Sequence, residues 1–206
     1  SSMNPTRMYA ATNKTLAGSN DTGQTWQSLG DPAEDGDGVA LSWVDPTDDS
    51  NIVVAIVEAD FATQFGGLFR SVDGGMSWTQ VFASPPDRLT FIPESVAYDP
   101  TSPGTVYFGV HTQTAELNNE GLLLRSTDHG NTFEIVLDGM GAPSVVVDAG
   151  GNVYAAGSEG STNKGVWRSS DGGNTWTPQN SGLPMPFSTA DLATHPSDPG
   201  HILVTN

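Results

Sequence analysis

Carboxylates are the most abundant titratable side chains in this sequence. The chain of 206 residues has 24 Asp and Glu against 7 Lys and Arg, a formal net charge of −17. Two carboxyl groups facing each other across a cleft can hydrolyse a glycosidic bond, one as the acid and the other as base or nucleophile. The candidates for such a pair are Asp60, Glu116 and Glu120, which lie between short apolar segments.

The acidic segments could also bind a cation or be solvated surface. Asp35 and Asp37 alternate with glycine, which suits oxygen ligation of Ca²⁺ but lacks the further acidic ligand of an EF-hand loop. The four histidines show no metal-ligand spacing, and His129 only fills a variable position of a repeated sequence. We therefore expect no cofactor, with Ca²⁺ as the one candidate ion.

Arginines could grip an anionic substrate, as sialic acid hydrolysis requires. The sequence has five, and three of them (Arg70, Arg125 and Arg168) occupy the same position of that repeated sequence. Only Arg7 and Arg88 remain, too few for a carboxylate-binding triad. This pattern excludes a sialidase active site.

The repeated sequence is Ser-x-Asp-x-Gly-x-(Thr/Ser)-(Trp/Phe), and we name its four copies the box turns. Their intervals of roughly 40–55 residues are typical of propeller blades. Because a structural role recurs once per unit and a catalytic role does not, we interpret them as structural. The glycine supplies a positive φ and the aspartate accepts turn N–H groups. The box residues are Ser19, Asp21, Gly23, Trp26, Ser71, Asp73, Gly75, Trp78, Ser126, Asp128, Gly130, Phe133, Ser169, Asp171, Gly173 and Trp176.

The segments between box turns predict the rest of each unit. Short β-branched runs bounded by Gly, Pro and Asp are typical of strands, and no segment has a sustained helical period. Each unit contains four such strands, with the box turn between the third and fourth. The sequence therefore predicts an all-β fold, a β-propeller of four-stranded antiparallel blades. The expected blades are about 1–30, 38–83, 93–138 and 143–180, with a partial blade at 188–206.

These motifs resemble the Asp-box, or bacterial neuraminidase repeat (BNR). The longer unit, best seen from Asp99 to Phe133, is similar to the sortilin-type receptor and xyloglucanase branch, which also includes photosystem II assembly factors. The resemblance covers nearly the whole chain. It implies a propeller and a secreted protein, extracellular or periplasmic, whose function the fold alone does not fix.

The first and last repeated units have fewer strands than the others. The first unit lacks its first strand and the last unit has only two, so we expect an excerpt of a larger propeller. Exposed sheet edges would then be covered by further blades or by pairing with another copy.

Ligands are expected on the face opposite the box turns, because antiparallel strands reverse at every turn and long loops on one face commonly carry function. That predicted ligand-binding face comprises Asp35, Asp37, Glu58, Asp60, Phe61, Phe65, His111, Glu116 and Glu120. The acidic surface excludes nucleic acid as a partner, and no apolar run is long enough for membrane insertion.

Two functions remain. The first is an extracellular, non-catalytic propeller module that binds a glycan or protein or takes part in an assembly. The alternative is part of a xyloglucanase-like glycoside hydrolase with paired carboxylates on the loop face. No segment matches the catalytic segments expected of xyloglucanases, which favours the first.

Overall fold

The protein is all-β in the parts that its structure, a computed structural model, describes. These are residues 6–11, 15–30, 32, 38–57, 66–114, 116, 118–141, 143–158, 163–183, 191–195 and 198–205. The strands are β1 (Met8–Ala11), β2 (Leu16–Ser19), β3 (Gln27–Ser28), β4 (Gly38–Asp45), β5 (Asp48–Val57), β6 (Gly67–Ser71), β7 (Thr79–Ala83), β8 (Ile92–Tyr98), β9 (Val106–Gln113), β10 (Asn119–Ser126), β11 (Glu134–Asp138), β12 (Ser144–Val147), β13 (Val153–Gly157), β14 (Gly165–Ser169), β15 (Thr177–Pro178), β16 (Leu192–Thr194) and β17 (Ile202–Val204).

The strands form five antiparallel sheets in chain order. The first sheet is β1–β2–β3, followed by three four-stranded sheets, β4–β7, β8–β11 and β12–β15, and by the pair β16–β17. Each strand pairs with its sequence neighbours, as in a meander. This confirms the predicted fold class: the chain forms part of a β-propeller. Strand β17 pairs with β16, in a different sheet from β1.

The hydrophobic core lies between neighbouring sheets, because the second strand of each four-stranded sheet is buried on both faces. In β5, Ile52, Val54 and Ile56 pack towards the first sheet with Leu16. The alternate residues, Val53 and Ala55, pack towards the third sheet. This period of two explains why the run is apolar at every position, which is typical of a doubly buried strand.

The first strands of successive sheets also contact one another and line the inner edge of the sheets. The hydroxyl of Ser95 on β8 donates to Pro143 O (2.8 Å) and accepts from Val145 N (3.1 Å). One sheet further on, the hydroxyl of Ser144 accepts from Leu192 N at 3.2 Å. These serines join the sheets near their inner edge. None of the described segments forms a helix long and apolar enough to cross a membrane.

Candidate functional site

The sheets present two faces, one formed by the box turns and the other by longer loops. Each box turn connects the last two strands of its sheet, and in the four-stranded sheets it lies at the same end as the turn from the first to the second strand. We call this side the box face and the opposite side the loop face. Six residues predicted on the loop face lie outside the described residues: Asp35, Asp37, Glu58, Asp60, Phe61 and Phe65.

The other three predicted ligand-binding residues lie at the loop end of the third sheet. His111, near the end of β9, is opposite Gly121 of β10. Its Nε2 lies 3.4 Å from Asn119 Oδ1, which also accepts a bond from Gln113 Nε2 at 3.1 Å. Glu116 is an exposed turn residue, and Glu120 accepts a bond from the Thr112 hydroxyl through its backbone carbonyl.

The sequence analysis missed a carboxyl at the same end of the sheet, that of Glu94. Glu94 as a whole residue is exposed to solvent. The surrounding protein nevertheless partly desolvates its carboxyl group, and this desolvation raises the pKa of the carboxyl. The charge of His111 opposes the rise, and the carboxylate of Asp191, just before β16, adds to it. An acidic residue beside Pro93 at a bulge of β8 was the signal that could have identified it.

We call Glu94, His111, Asn119 and Asp191 the loop-face cluster. It combines carboxyl, imidazole and amide groups, so it offers both hydrogen-bond donors and acceptors. These groups come from three strands and the segment before a fourth. The arrangement suits recognition of a polar, uncharged ligand, and its one carboxyl with a raised pKa is a feature of functional sites.

On the box face, each box aspartate binds its own hairpin. In the third turn the hydroxyl of Ser126 donates to Asp128 Oδ1 (2.8 Å) and accepts from Gly130 N (2.9 Å). The same carboxylate accepts from Thr132 N (2.9 Å) and from Thr132 Oγ1 (2.7 Å). The other three turns have the same four bonds.

These bonds keep the box aspartates ionised, which leaves little capacity for proton transfer near neutral pH. The hydrogen bonds from Thr25 to Asp21, and from Ser77 to Asp73, lower the pKa of each carboxyl to about 2. Burial acts to raise the pKa of Asp128, but the bonds from Thr132 outweigh it and the pKa is lowered. The geometry therefore matches a structural role.

The box turns also connect neighbouring sheets. Trp78 Nε1 donates to Gly30 O at 2.9 Å, and Trp176 Nε1 donates to Val136 O at 3.1 Å, in each case to the preceding sheet. In the first turn, Trp26 is 43% exposed and its Nε1 donates to Gly23 of its own hairpin at 3.1 Å.

His129, to which the sequence analysis gave no role, connects the second and third sheets. Its Nδ1 is hydrogen-bonded to Asp45 Oδ2 at 2.6 Å, and its φ of +60° is in the left-handed region. Burial acts to raise the pKa of Asp45, but hydrogen bonds from Thr47, His129 and Asn51 outweigh the effect of burial. The net result is a lowered pKa. The buried carboxylate of Asp45, in the turn after β4, is thus hydrogen-bonded to His129 in the box turn of the next sheet.

The arginines have separate partners among the described residues. Arg7 pairs with Asp49 (3.2 Å) and Arg88 with Asp138 (2.8 Å). The three arginines that precede box turns bind neighbouring turns or strands: Arg70 to Asn51 and Asn131, Arg125 to Glu134, Gly172 and Asn174, and Arg168 to Asn152. They are used for structure, as expected from their repetition.

Within the described part of the chain, no group of three or more His, Asp or Glu side chains could hold a metal ion. The candidate Ca²⁺ ligands Asp35 and Asp37 lie outside that part, so this site stays a prediction.

No protein-family model and no curated protein sequence matches the chain. Among solved structures it is similar to the GH74 xyloglucanase from Xanthomonas campestris, with 22% identity and a TM-score of 0.63 over 85% of this chain and 28% of that chain. It is also similar to an ancestral GH74 enzyme, with 19% identity and a TM-score of 0.65 over 92% of this chain and 26% of that one.

A third similar structure is YCF48 bound to D1 peptide, with 19% identity and a TM-score of 0.52 over 90% of this chain and 53% of that one. The chain thus spans about a quarter of the length of the two GH74 proteins and about half that of YCF48. At these identities the similarity shows the propeller fold, and function has to be argued from the site.

Proposed function

We propose that this chain is a non-catalytic β-propeller module of an extracellular or periplasmic protein, and that it binds a neutral glycan on its loop face. The observation that carries the proposal is the loop-face cluster. Asn119 and His111 lie within hydrogen-bonding distance of each other, and the partly desolvated Glu94 carboxyl is near enough to His111 for their charges to interact. Sugar hydroxyls both donate and accept, so they fit a mixed set of amide, imidazole and carboxyl groups.

The charge of the chain narrows the class of ligand. At −17, the protein repels polyanions but does not oppose a neutral glycan. One similar structure is that of a GH74 xyloglucanase, which supports a glycan as the ligand class. YCF48 is similar too and binds a peptide, so a protein partner is the competing ligand class.

Glycoside hydrolysis is the second candidate, and Glu94 is the observation in its favour. A general acid needs a pKa raised towards neutrality and a second carboxyl across the substrate. Glu94 has the raised pKa, and Asp191 is close enough to contribute to it. However, the Asp191 charge affects this pKa less than the His111 charge does. No segment of the sequence matches the catalytic segments expected of xyloglucanases, and this favours binding over catalysis.

The test is a calorimetric titration with xyloglucan and cello-oligosaccharides, together with a reducing-sugar assay on the same substrates. We expect binding without turnover, weakened about tenfold by Glu94→Gln, because bonds to charged groups are worth about 1.5–3 kcal/mol. Asp198→Asn is the control, since Asp198 is an exposed carboxyl in the turn between β16 and β17, on the box face and away from the loop-face cluster.

Turnover that is lost in Glu94→Gln or Asp191→Asn would establish the hydrolase. The same assay on Asp60→Asn and Glu116→Gln tests the carboxyls singled out from the sequence. Absence of oligosaccharide binding, with the protein folded, would overturn the glycan proposal.

A further inference from the structure

The hairpin β9–β10 reaches beyond β8 and β11 at the loop face. Its outermost cross-strand pair is Gln113 with Asn119, and the pair of His111 with Gly121 lies two positions before it. Directly opposite residues of an antiparallel pair, and residues two apart on one strand, have side chains on the same face. The side chains of His111, Gln113 and Asn119 therefore share one face of the hairpin, and we call these three residues the hairpin shelf.

The hairpin is held along both of its edges, which gives the shelf a fixed backbone. The segment before β8 runs along one edge, where Leu89 N donates to Gln113 O at 2.8 Å. Along the other edge Met140 N donates to Gly121 O at 3.1 Å. A Cβ at Gly121 would clash with the carbonyl of Gly141, so glycine here lets the connection to the next sheet pack against the base of the shelf.

The polar contacts of the shelf fix the orientation of the Asn119 amide. Gln113 Nε2 donates to Asn119 Oδ1 at 3.1 Å, and His111 Nε2 lies 3.4 Å from the same oxygen. An amide oxygen only accepts hydrogen bonds, so the His111 nitrogen that faces it carries the proton. Because its oxygen is turned towards both neighbours, the amide presents its nitrogen away from them.

Two complementary groups of the shelf remain available to a ligand. Within the described parts of the chain no hydrogen bond is formed by Asn119 Nδ2, a donor, or by Gln113 Oε1, an acceptor. They belong to directly opposite residues, whose Cβ atoms are roughly 5 Å apart in such a pair. A donor and an acceptor at this spacing can bind two neighbouring hydroxyl groups of one sugar ring, one hydroxyl accepting and the other donating.

The surroundings of the shelf suit a neutral ligand. Asn119 is exposed and Gln113 is half-buried, so a ligand can reach both amides. The charge of Glu94 interacts with that of His111, and a carboxylate near the shelf disfavours anionic ligands. The bonds within the shelf hold the Asn119 amide in place before a ligand arrives. This supports affinity, because a mobile side chain would lose rotamer freedom on binding.

We propose that Gln113 and Asn119 determine the specificity of the loop-face site by binding two adjacent hydroxyl groups of one sugar ring. This inference rests on the glycan binding proposed above and deepens it. Asn119 Nδ2 donates to one hydroxyl oxygen, and the neighbouring hydroxyl donates to Gln113 Oε1. His111 is a positioning residue, since its bond to Asn119 Oδ1 holds the amide nitrogen outward. The ligand is thus a neutral glycan whose rings keep adjacent free hydroxyls.

Two soluble glucans test this arrangement by affinity gel electrophoresis. The backbone rings of xyloglucan are linked through carbon four and keep adjacent hydroxyls on carbons two and three. Laminarin is linked through carbon three, so its internal rings have no two adjacent hydroxyls. We expect the wild type to bind xyloglucan about tenfold more tightly than laminarin, because the missing hydroxyl leaves one group of the shelf without a partner.

Asn119→Asp is the central variant, because a carboxylate still accepts from Gln113 and His111 but has no N–H to donate. Its affinity for xyloglucan should fall about tenfold, and its preference over laminarin should shrink to about twofold. Asn118→Asp is the matched control, since it makes the same change at the preceding exposed residue. It should leave both affinities unchanged.

Two further positions test the acceptor and the positioning role. Gln113→Met removes the acceptor and should also reduce the preference for xyloglucan. His111→Leu should reduce it about threefold, the loss of one weak hydrogen bond. His111→Gln should restore it, because the glutamine amide can still donate to Asn119 Oδ1. Urea unfolding of every variant checks that the fold is retained.

Equal affinity of the wild type for the two glucans would overturn the inference. So would an Asn119→Asp protein that binds both as the wild type does, or that loses affinity for both in equal proportion, because a purely structural effect does not alter the preference. If Glu94→Gln still weakens xyloglucan binding in those cases, the glycan proposal stands and only the role of the shelf is wrong. A folded wild type that binds neither glucan would overturn both.

Discussion

Replacing Ser126 by alanine should destabilise the protein by about 2 kcal/mol, because it removes the centre of a box turn. The Ser126 side chain is 1% exposed, and its hydroxyl donates to Asp128 at 2.8 Å and accepts from Gly130 N at 2.9 Å. Alanine leaves the buried Gly130 N–H without an acceptor, which costs roughly 1–3 kcal/mol. Asp128 keeps its two bonds from Thr132, so the loss is confined to the hydroxyl.

Urea unfolding followed by tryptophan fluorescence measures this change, with a thermal midpoint that should fall by roughly 4–8 °C for a domain of this size. The control is Thr127→Ala, since Thr127 is exposed at the variable position of the same turn. That variant should stay within about 0.5 kcal/mol of the wild type. Equal stabilities of the Ser126→Ala and Thr127→Ala proteins would show that the hydroxyl does not hold the turn, and would refute the reasoning.

Three further outcomes follow from the same geometry. Trp78→Phe should lower the free energy of unfolding in urea by about 1 kcal/mol, because it breaks the bond to Gly30 O. Trp26→Phe should lower it less, because among the described residues the Trp26 indole bonds only within its own hairpin. Equal losses would contradict a role of Trp78 in joining sheets. Gly109→Ala should destabilise by about 1–3 kcal/mol, since a Cβ there would lie 2.2 Å from Pro143 O; an unchanged urea midpoint would show that the sheets can separate. Two box aspartates have a pKa of about 2 when folded, below the value in the unfolded chain, so the stability they provide is complete above about pH 4 and is lost as pH falls towards 2; a constant urea midpoint across that range would contradict it.

The sequence alone determined the box turns and the strands, because their physical causes are local. The side-chain bonds of the box serines and aspartates span at most four residues among the described residues, as from Thr132 to Asp128. The strands follow equally from β-branched runs such as that of β5, which needs burial on both faces. Spacing of the turns then predicted four-stranded units, and the sheets β4–β7, β8–β11 and β12–β15 have that form.

Only the tertiary structure decided which groups meet. The loop-face cluster brings Glu94 near His111 and Asp191, which are distant from it in the sequence. A pattern of strands cannot show that the surrounding protein partly desolvates the Glu94 carboxyl. Likewise Arg125 was recognisable as a repeated residue, but its bond to Gly172 spans 47 positions.

The positions of Tyr154 and Arg168 show the same division. The position of Arg168 directly before a box serine can be read from the sequence, whereas its place opposite Tyr154 depends on strand register. The groove beside both, between the fourth sheet and the pair β16–β17, depends on how two sheets pack. Local hydrogen bonds are fixed by short spacing along the chain. Contacts between blades depend on how whole sheets pack and on which donors that packing leaves without acceptors, and this is a property of the assembled fold.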